Sequence, residues 1–261
     1  MAMSDDWVLL ETDNGIATVT LNRPDVHNAF NDGVIRRLDG MFADLGQRAE
    51  VRAVVLRGNG KSFSAGGDLA YMKRAGEMSG PENLADSQGL GRMLHRLHTM
   101  PQPTLALVHG NAFAGGIGLL SACDIAVARP DCTFSVSEVR LGLIPSVISP
   151  YLLAAMGQRV CRRIFLTAER FDGKQALEWG LVQEVADDLD TARDRYLAAF
   201  RAAAPGALKA AKELIVAVAG KPITEAVIVD TAQRIADRRA SVEAREGLTA
   251  FLEKRKPGWT Q

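Results

Sequence analysis

The distribution of apolar and polar residues predicts alternating strands and helices over residues 1–190 of this 261-residue chain. Two β-prone runs flank Asp13-Asn14-Gly15, and an Asn-Gly pair between such runs is a strong hairpin signal. Asn31 is a suitable N-cap for a following helix. The apolar positions of that helix recur every three to four residues, as a buried face requires: Val34, Ile35, Leu38, Met41, Phe42 and Leu45.

Three short apolar runs predict buried strands: 52–58, 104–110 and 124–128. The segment after Pro81 predicts an amphipathic helix that ends before Pro101 and Pro103. Its apolar side consists of Leu84, Leu90, Met93, Leu94 and Leu97. Strand–helix–strand units of this kind imply parallel strands with helices packed outside them. Further along, the pattern is almost wholly helical, so we expect an α/β core over 1–190 and a separate helical layer over 191–261.

Composition excludes several classes of function. Lys plus Arg and Asp plus Glu both number 31, so the chain lacks the basic excess of a nucleic-acid binder. Three cysteines, an odd number in apolar surroundings, favour a reduced, intracellular chain. The N-terminal MAMSDDWVLL lacks the layout of a signal peptide, and no apolar run reaches the roughly 20 residues of a membrane span. We therefore expect a cytoplasmic protein that binds neither nucleic acid nor membrane.

Three familiar motifs fail when their spacing is checked. GNGKS, at 58–62, lacks the first glycine of a P-loop, because Val55 occupies its position. GGIG, after the strand at 104–110, is not the G-x-G-x-x-G of a dinucleotide site. His95 and His98 could share a helix face, but they have no nearby carboxylate or cysteine partner. We therefore expect neither a nucleotide cofactor nor a metal ion.

Two glycine-rich turns of similar build remain: KSFSAGGDL at 61–69 and GNAFAGGIG at 110–118. Each follows a predicted strand and places free backbone N–H groups at a predicted helix start, where the helix dipole favours negative charge. One interpretation is that the glycines only allow strands and helices to pack closely. The other is that two such turns on neighbouring parallel strands aim one N–H each at a single oxygen, forming an oxyanion hole. For the pair of turns, we favour the second interpretation.

Five segments resemble the enoyl-CoA hydratase/isomerase (crotonase) family and cover nearly the whole chain: LNRPDVHNAF, KSFSAGGDL, GNAFAGGIGLLSACDIAVA, SEVRLGLIPSVISPYLL and AFLEKRKPGW. The resemblance implies an α/β fold, a crotonase-like spiral of repeated ββα units, followed by a helical C-terminal region that builds homotrimers, often paired into hexamers. It also implies an acyl-CoA thioester as substrate. Coenzyme A is part of that substrate, so no separate cofactor is expected.

The resemblance assigns the two amides of the oxyanion hole to Gly67 and Gly115. Charge builds on the thioester oxygen as the acyl group reacts, and each well-placed donor contributes about 2.7–4 kcal/mol of transition-state stabilisation. Ala65, Asp68 and Leu69 lie in the loop that borders the coenzyme in this family. For Asp68, a cap on the following helix is an alternative interpretation.

Hydratases of the family carry two glutamates that hold a water molecule, and only one of these positions is a glutamate in this chain. It is Glu138, although a surface residue without a catalytic role is the alternative interpretation. The other position is Gly118, which has no side chain. A single carboxylate can still act as base toward water and then as acid toward carbon. Ser146 occupies the position where the family uses a backbone amide to orient the water.

Three functions are compatible with these residues. HNAFND, GGIGLLSACD and SEVRLGLIPSVISPYL resemble bacterial hydratases of branched enoyl-CoAs of the methylglutaconyl-CoA type, so we rank an enoyl-CoA hydratase first. An enoyl-CoA isomerase, which also needs a single carboxylate to carry a proton between C2 and C4, ranks second. A protein that binds CoA esters without turnover ranks third, because Glu138 and both glycine turns are present.

Overall fold

The computed structural model describes residues 4–260, so the first three residues of the N-terminal segment considered above lie outside it. The chain divides into two compact units. One extends to Met100 and resumes over Thr104–Arg193, and the other combines Pro101–Pro103 with the chain from Asp194 onward.

Within the described residues, the strands are β1 (Val8–Asp13), β2 (Ile16–Leu21), β3 (Ala53–Gly58), β4 (Thr104–Val108), β5 (Asn111–Phe113), β6 (Ile125–Ala128), β7 (Thr133–Ser135), β8 (Phe171–Asp172) and β9 (Glu184–Val185). The α-helices are α1 (Asp32–Leu45), α2 (Leu69–Gly76), α3 (Gly80–His98), α4 (Gly115–Ala122), α5 (Ser149–Thr167), α6 (Gly173–Glu178), α7 (Leu189–Ala202), α8 (Pro205–Val218), α9 (Glu225–Ala240) and α10 (Val242–Leu252). Short 3₁₀ helices span Ser4–Trp7, Pro24–Val26, Glu138–Leu141 and Gly258–Thr260.

The larger sheet contains six strands in the order β1-β2-β3-β4-β6-β9. Its strands are parallel except for β1, which forms the predicted antiparallel hairpin with β2. Asn14 and Gly15 both have positive φ, as an Asn-Gly hairpin turn requires. The three predicted buried strands are confirmed as β3, β4 and β6, with all five residues of β4 buried.

The predicted cap and apolar face of α1 are confirmed. The Asn31 side chain accepts a hydrogen bond from the Val34 N–H at 2.9 Å, and all six predicted apolar positions are buried. In α3, the prediction is wrong at one position, because Leu84 is 61 % exposed while Met93, Leu94 and Leu97 are buried. Leu84 lies near the start of α3, before the turns of the helix that meet the core.

A second, three-stranded sheet in the order β5-β7-β8 was not predicted. Its strands have only two or three residues, too few to show a period in the sequence. β5 inserts between β4 and α4, so the chain turns away from the large sheet before the glycine-rich helix begins.

The unit that begins at Asp194 is helical, as the pattern predicted. Its own contacts include the Gly206 N–H, which donates to the Glu243 carboxylate at 3.0 Å. It also exposes several large apolar side chains, among them Ile223, Phe251 and Leu252.

Candidate active site

The candidate site lies at the carboxyl ends of three parallel segments, which end at Ser64, at Phe113 of β5 and at Ser135 of β7. Ser64 forms a parallel bridge with Ala112, and on the other side of β5, Phe113 lies opposite Ser135 of β7. The carboxyl ends of parallel segments meet at one edge, which is where α/β proteins commonly bind ligands. The residues that follow the three segments are therefore neighbours: 65–69, 114–118 and 136–138.

Gly67 presents an unpaired backbone amide in the first glycine turn, 65–68. It forms a parallel bridge with Phe30, whose N–H donates to the Gly66 carbonyl and whose carbonyl accepts the Asp68 N–H, each at 2.7 Å. In this arrangement the partner bonds to the residues on either side, so the N–H of Gly67 itself points away from Phe30. Nothing in residues 4–260 accepts a hydrogen bond from it.

Gly115 presents a second unpaired amide, in the second glycine turn, 114–116. It is the first residue of α4, so its N–H has no intrahelical partner, and none exists elsewhere in the described chain. Ala114 adopts φ 47° and ψ −119°, a strained conformation for a residue other than glycine. Its N–H donates to the Ser135 carbonyl at 3.0 Å, and its carbonyl accepts the Ile117 N–H at 2.9 Å. These two bonds fix the direction of the Gly115 amide.

The two glycine turns are in direct backbone contact. A Cβ added to Gly66, which has φ 83°, would lie 2.8 Å from the Phe113 carbonyl oxygen and 3.1 Å from the Gly115 nitrogen. A Cβ added to Gly116 would lie 2.5 Å from the Ser64 carbonyl oxygen. Real Cβ atoms do not approach backbone this closely, so glycine at these two positions is a packing requirement.

The glycines that carry the free amides are under a weaker packing constraint. The nearest neighbour of an added Cβ would be the Met72 sulfur, at 3.0 Å, for Gly67 and the Phe30 ring, at 3.2 Å, for Gly115. Both neighbours are side chains rather than backbone, and Met72 is a flexible one. Packing therefore explains Gly66 and Gly116, whereas the unpaired amides of Gly67 and Gly115 call for a functional explanation.

Glu138 lies three residues beyond Ser135 and begins the short helix Glu138–Leu141. Its Oε2 atom is buried and has no hydrogen-bond partner within the described residues. Burial raises the pKa of this carboxyl above its usual value, and the residue's own backbone N–H opposes the rise only in part. An acid with a raised pKa and a buried, free oxygen is suited to exchange protons with a ligand.

At Gly118, where hydratases of the family carry the second glutamate, the space for a side chain is already filled. A Cβ added to Gly118 would lie 2.3 Å from Cγ2 of Ile148 and 3.6 Å from Cδ1 of Leu94. Ile148 is buried, and the Gly118 N–H donates to the Ala114 carbonyl at 3.2 Å. An apolar side chain therefore occupies the space into which a carboxylate at position 118 would project.

Ser146, expected to orient a water molecule through its backbone amide, has a partner for that amide within the chain. Its N–H donates to the Ile144 carbonyl at 2.8 Å, so this amide is already bonded and does not point freely toward a water molecule. Ala65 and Leu69 belong to the loop expected to border the coenzyme. Ala65 donates its N–H to the His27 carbonyl, and Leu69 begins α2 with 74 % of its surface exposed.

Asp68 caps α2, which confirms the capping interpretation. Its Oδ1 accepts hydrogen bonds from the Ala70 and Tyr71 N–H groups at 3.0 and 3.2 Å. Its Oδ2 accepts one from Arg23 at 3.0 Å. Partial burial alone would raise the pKa of Asp68, but the Tyr71 amide and the Arg23 guanidinium hold it below its usual value. All of these contacts are internal to the protein.

Four residues that shape the site were not singled out from the sequence: Arg23, Phe30, Ala114 and Ile148. Arg23 and Phe30 lie in LNRPDVHNAF, which contributed to the family resemblance, but nothing in that segment indicates that they reach the first glycine turn.

The described residues contain no group of three or more His, Cys, Asp and Glu side chains placed to hold one metal ion. In the same part of the chain, every helix is too short or too polar to cross a membrane.

Comparison with known proteins identifies the family. Residues 11–261 match the family model for enoyl-CoA hydratase/isomerase. A crystal structure of an enoyl-CoA hydratase from Shewanella pealeana superposes with a TM-score of 0.95 at 40 % identity, covering 97 % of this chain and 96 % of that one. The match supports the expected mixed α/β fold with a helical C-terminal region.

Two relatives in other bacteria differ in activity. The short-chain-enoyl-CoA hydratase of Clostridium acetobutylicum is 30 % identical over 254 residues, covering 95 % of each chain. The 1,2-epoxyphenylacetyl-CoA isomerase of Escherichia coli is 31 % identical over 264 residues, covering 98 % of each chain. The relatives named as enoyl-CoA hydratases are hydro-lyases, the enzyme class expected from the sequence. The chain belongs to the enoyl-CoA hydratase/isomerase family.

Proposed function

We propose that this protein is an enoyl-CoA hydratase that adds water across the 2,3 double bond of an enoyl-CoA thioester. The observation that carries the proposal is that two unpaired amides, at Gly67 and Gly115, and the buried, unpartnered carboxylate oxygen of Glu138 follow three parallel segments that pair side by side. The amides supply donors for an oxyanion, and the carboxylate supplies an acid/base. These are the two components that addition to an α,β-unsaturated thioester requires.

In the proposed reaction, ionised Glu138 removes a proton from water while the water oxygen bonds to C3 of the acyl group. The electron pair of the double bond moves onto the thioester oxygen, where the Gly67 and Gly115 amides stabilise the enolate. Protonated Glu138 then returns the same proton to C2, and the thioester carbonyl re-forms. One carboxylate is sufficient because it gives back the proton that it took, and no separate cofactor takes part.

A branched acyl group of the methylglutaconyl-CoA type is the substrate that we propose within this class. The support for it is the resemblance of three segments to hydratases of that type: HNAFND, GGIGLLSACD and SEVRLGLIPSVISPYL.

Isomerisation of a 3-enoyl-CoA to a 2-enoyl-CoA is the second candidate, and two observations favour it. Ile148 fills the space of a second carboxylate at Gly118, and the Ser146 amide is bonded to Ile144. Both features remove groups that would hold a water molecule. Proton transfer between C2 and C4 needs Glu138 and the two amides but no bound water.

A side-by-side assay separates these candidates. Crotonyl-CoA, 3-methylglutaconyl-CoA and a 3-enoyl-CoA are incubated with the enzyme, and the absorbance of the conjugated 2-enoyl thioester is followed. We expect this absorbance to fall with the first two substrates, most rapidly with 3-methylglutaconyl-CoA. If the only change is a rise with the 3-enoyl substrate, the protein is an isomerase. Binding of CoA esters without any turnover would leave a non-catalytic binding protein.

Glu138→Gln tests the catalytic carboxylate. We expect turnover to fall by about a hundredfold or more, the scale of general acid/base catalysis, while CoA-ester binding stays nearly unchanged. In the wild type, turnover should rise with pH along a single acidic limb, because Glu138 must be ionised to accept a proton from water. No charged group contributes to the raised pKa of Glu138, so its titration should not divide into two coupled steps. Glu178→Gln, at an exposed position in α6, is the matched control. Turnover of Glu138→Gln equal to that of the control would remove Glu138 from the mechanism.

The same variant has a predicted signature in stability. Because the pKa of Glu138 is raised in the folded state, ionisation opposes folding, and this cost grows as pH rises through the raised pKa. Glu138→Gln should therefore unfold at a higher denaturant concentration than the wild type in alkaline buffer, and at a similar concentration in acid.

We also propose that the helical region 191–261 mediates self-association into trimers or hexamers. Support comes from its exposed apolar side chains, since Ile223, Phe251 and Leu252 are 88, 81 and 79 % exposed within a single chain. Surfaces of this kind mark protein–protein contacts. Light scattering of the wild type and of Phe251→Ser would test it, because a monomeric wild type contradicts the proposal.

A further inference from the structure

Arg23 links three separate parts of the chain through one guanidinium. Its Nη1 donates to the Ala29 carbonyl at 2.6 Å, and its Nη2 donates to Oδ2 of Asp68 at 3.0 Å. The Trp7 ring covers the same group, with the Arg23 Cζ atom 4.9 Å from the ring centroid. The side chains of Arg23 and Asp68 are each only 16 % exposed.

These contacts lie on both sides of the bridge that orients Gly67. Ala29 directly precedes Phe30, the residue that bridges Gly67, and Asp68 directly follows Gly67. Arg23 therefore ties the segment that holds the first glycine turn to the turn itself.

The carboxylate in this linkage has little freedom to move. While Oδ2 of Asp68 accepts from Arg23, Oδ1 is held by the N–H groups of Ala70 and Tyr71 at the start of α2. The base of the Arg23 side chain is fixed as well, because the Arg23 N–H donates to Oδ1 of Asn28 at 2.8 Å. A planar guanidinium bonding in two directions between fixed acceptors acts as a rigid spacer, which a lysine cannot reproduce.

We propose that Arg23 is a positioning residue for the Gly67 amide: through Ala29 and Asp68 it fixes the direction in which this N–H meets the thioester oxygen of the substrate. The inference rests on the proposed function, which identifies the bound group as a thioester. Arg23 itself touches no reacting atom and acts through the backbone of the first glycine turn.

The experiment compares two ligands that differ at the oxygen in question. Butyryl-CoA carries the thioester carbonyl, and S-butyl-CoA, a thioether, lacks it, so the ratio of their dissociation constants reports the strength of the two amides. We expect the wild type to prefer the thioester. Arg23→Met should reduce this preference by about tenfold, short of the 10²–10³ that removal of a whole donor costs in kcat. Binding of the thioether should change by less than about twofold, because its contacts do not involve the amide.

Kinetics provide a second measurement of the same effect. Arg23→Met should lower kcat for hydration by about tenfold with little change in KM, because the amide bonds most strongly to the oxyanion of the transition state. Arg23→Lys keeps the charge but loses the planar guanidinium that bonds in two directions, so its kcat should lie between those of Arg23→Met and the wild type. Arg96→Met is the control, because Arg96 pairs with Asp39 at 2.7 Å between α3 and α1. It should leave the preference for the thioester unchanged.

Three results would overturn the inference. They are a wild type without preference for the thioester, an Arg23→Met variant that keeps the full preference, and equal weakening of both ligands, which indicates general structural damage. If Arg23→Met does not fold, Asp68→Asn takes its place: it keeps an oxygen for the α2 cap but loses the ion pair, and an unchanged preference would again overturn the inference. A wild type that prefers the thioester yet hydrates no enoyl-CoA would contradict the proposed function alone.

Discussion

The two glycine turns present the same group, an unpaired amide, but they hold it by different means. In the first turn, Gly67 lies in a bridge to Phe30, and the ion pair between Arg23 and Asp68 reinforces that bridge from the side. In the second turn, the direction of the amide is set by the strained backbone of Ala114 at the start of α4 and by the hydrogen bonds of Ala114 to Ser135 and Ile117. An ion pair supports the first donor beside its backbone bridge, whereas backbone conformation and backbone hydrogen bonds hold the second.

This difference indicates which conditions each turn can tolerate. An ion pair depends on the charge of both partners, so the first turn is sensitive to pH. A backbone conformation anchored by hydrogen bonds at both ends does not titrate. The two turns nevertheless meet through Gly66 and Gly116, so damage to this contact should affect both donors together.

The largest effect is expected where the turns touch. In Gly116→Ala the new methyl group would lie 2.5 Å from the Ser64 carbonyl oxygen and 2.9 Å from the Ser64 Cβ atom, neither of which is the end of a flexible side chain. Overpacking of this kind costs about 1–3 kcal/mol or more of the free energy of unfolding. We expect a loss at the upper end of this range in urea unfolding, together with a loss of kcat from displacement of both amides.

Gly40→Ala is the matched control for this variant. Gly40 lies within α1, and an added Cβ would have no neighbour within 4 Å. This substitution should leave activity unchanged and stabilise the helix by up to about 1 kcal/mol. If Gly116→Ala is as stable and as active as the control, the contact between the turns is not the constraint that we infer.

Asp68→Asn should produce a smaller effect that is confined to the first turn and depends on pH. The pKa of Asp68 is lowered in the folded state, so its ionised form contributes stability above the unfolded value of about 3.9. That contribution is lost as pH falls through the lowered pKa. We expect the variant to be less stable than the wild type by about 2 kcal/mol at neutral pH, between the values for exposed and fully buried pairs.

The measurement for Asp68→Asn is a series of urea unfolding curves from pH 3 to pH 8. The difference from the wild type should shrink below about pH 4, as Asp68 becomes protonated in both states of the wild type. A difference that is constant with pH would mean that the variant acts through packing. The ion pair would then not distinguish the first turn from the second.

The smallest change in stability is expected for Ala114→Gly, which relaxes the second turn. Glycine removes strain of about 1–3 kcal/mol but adds entropy to the unfolded chain, so the free energy of unfolding should change by at most about 1 kcal/mol, with no new pH dependence. The loosened peptide should still lower kcat by about tenfold, a fraction of the effect of losing a donor. Unchanged kcat would show that strain at Ala114 has no role in orienting the Gly115 amide.

The sequence predicted the elements with a clear period or a clear stop signal. The buried face of α1, the Asn14-Gly15 hairpin and the helix starts at both glycine turns could be inferred because each depends on residues close together in the chain. The two- and three-residue strands of the small sheet could not, since they exist only through pairing with distant segments.

In the candidate site too, local motifs could be recognised from the sequence, whereas contacts between distant residues could not. Motifs and the family resemblance pointed to Gly67, Gly115 and Glu138, but they did not indicate which residues support them. Arg23 pairs with a residue 45 positions away, and no local pattern predicts such a contact. Similarly, the glycine at 118 suggests an empty space, and only packing reveals that the side chain of Ile148 fills it.

The contact between Gly118 and Ile148 constrains how this enzyme could evolve. Gly118→Glu alone would drive its side chain into a buried isoleucine, and Ile148→Ala alone would leave a cavity costing about 2–5 kcal/mol. Either first step should therefore be selected against, although the double variant relieves the clash and fills the cavity. The added carboxyl group would still be buried beside Leu94, which carries a cost of its own. In a double-mutant cycle of unfolding free energies, we therefore expect the two changes to be non-additive and the double variant to be more stable than Gly118→Glu alone. Because Ile148 fills the space that a carboxylate at position 118 would need, we expect no single substitution at these two positions to restore that carboxylate without a loss of stability.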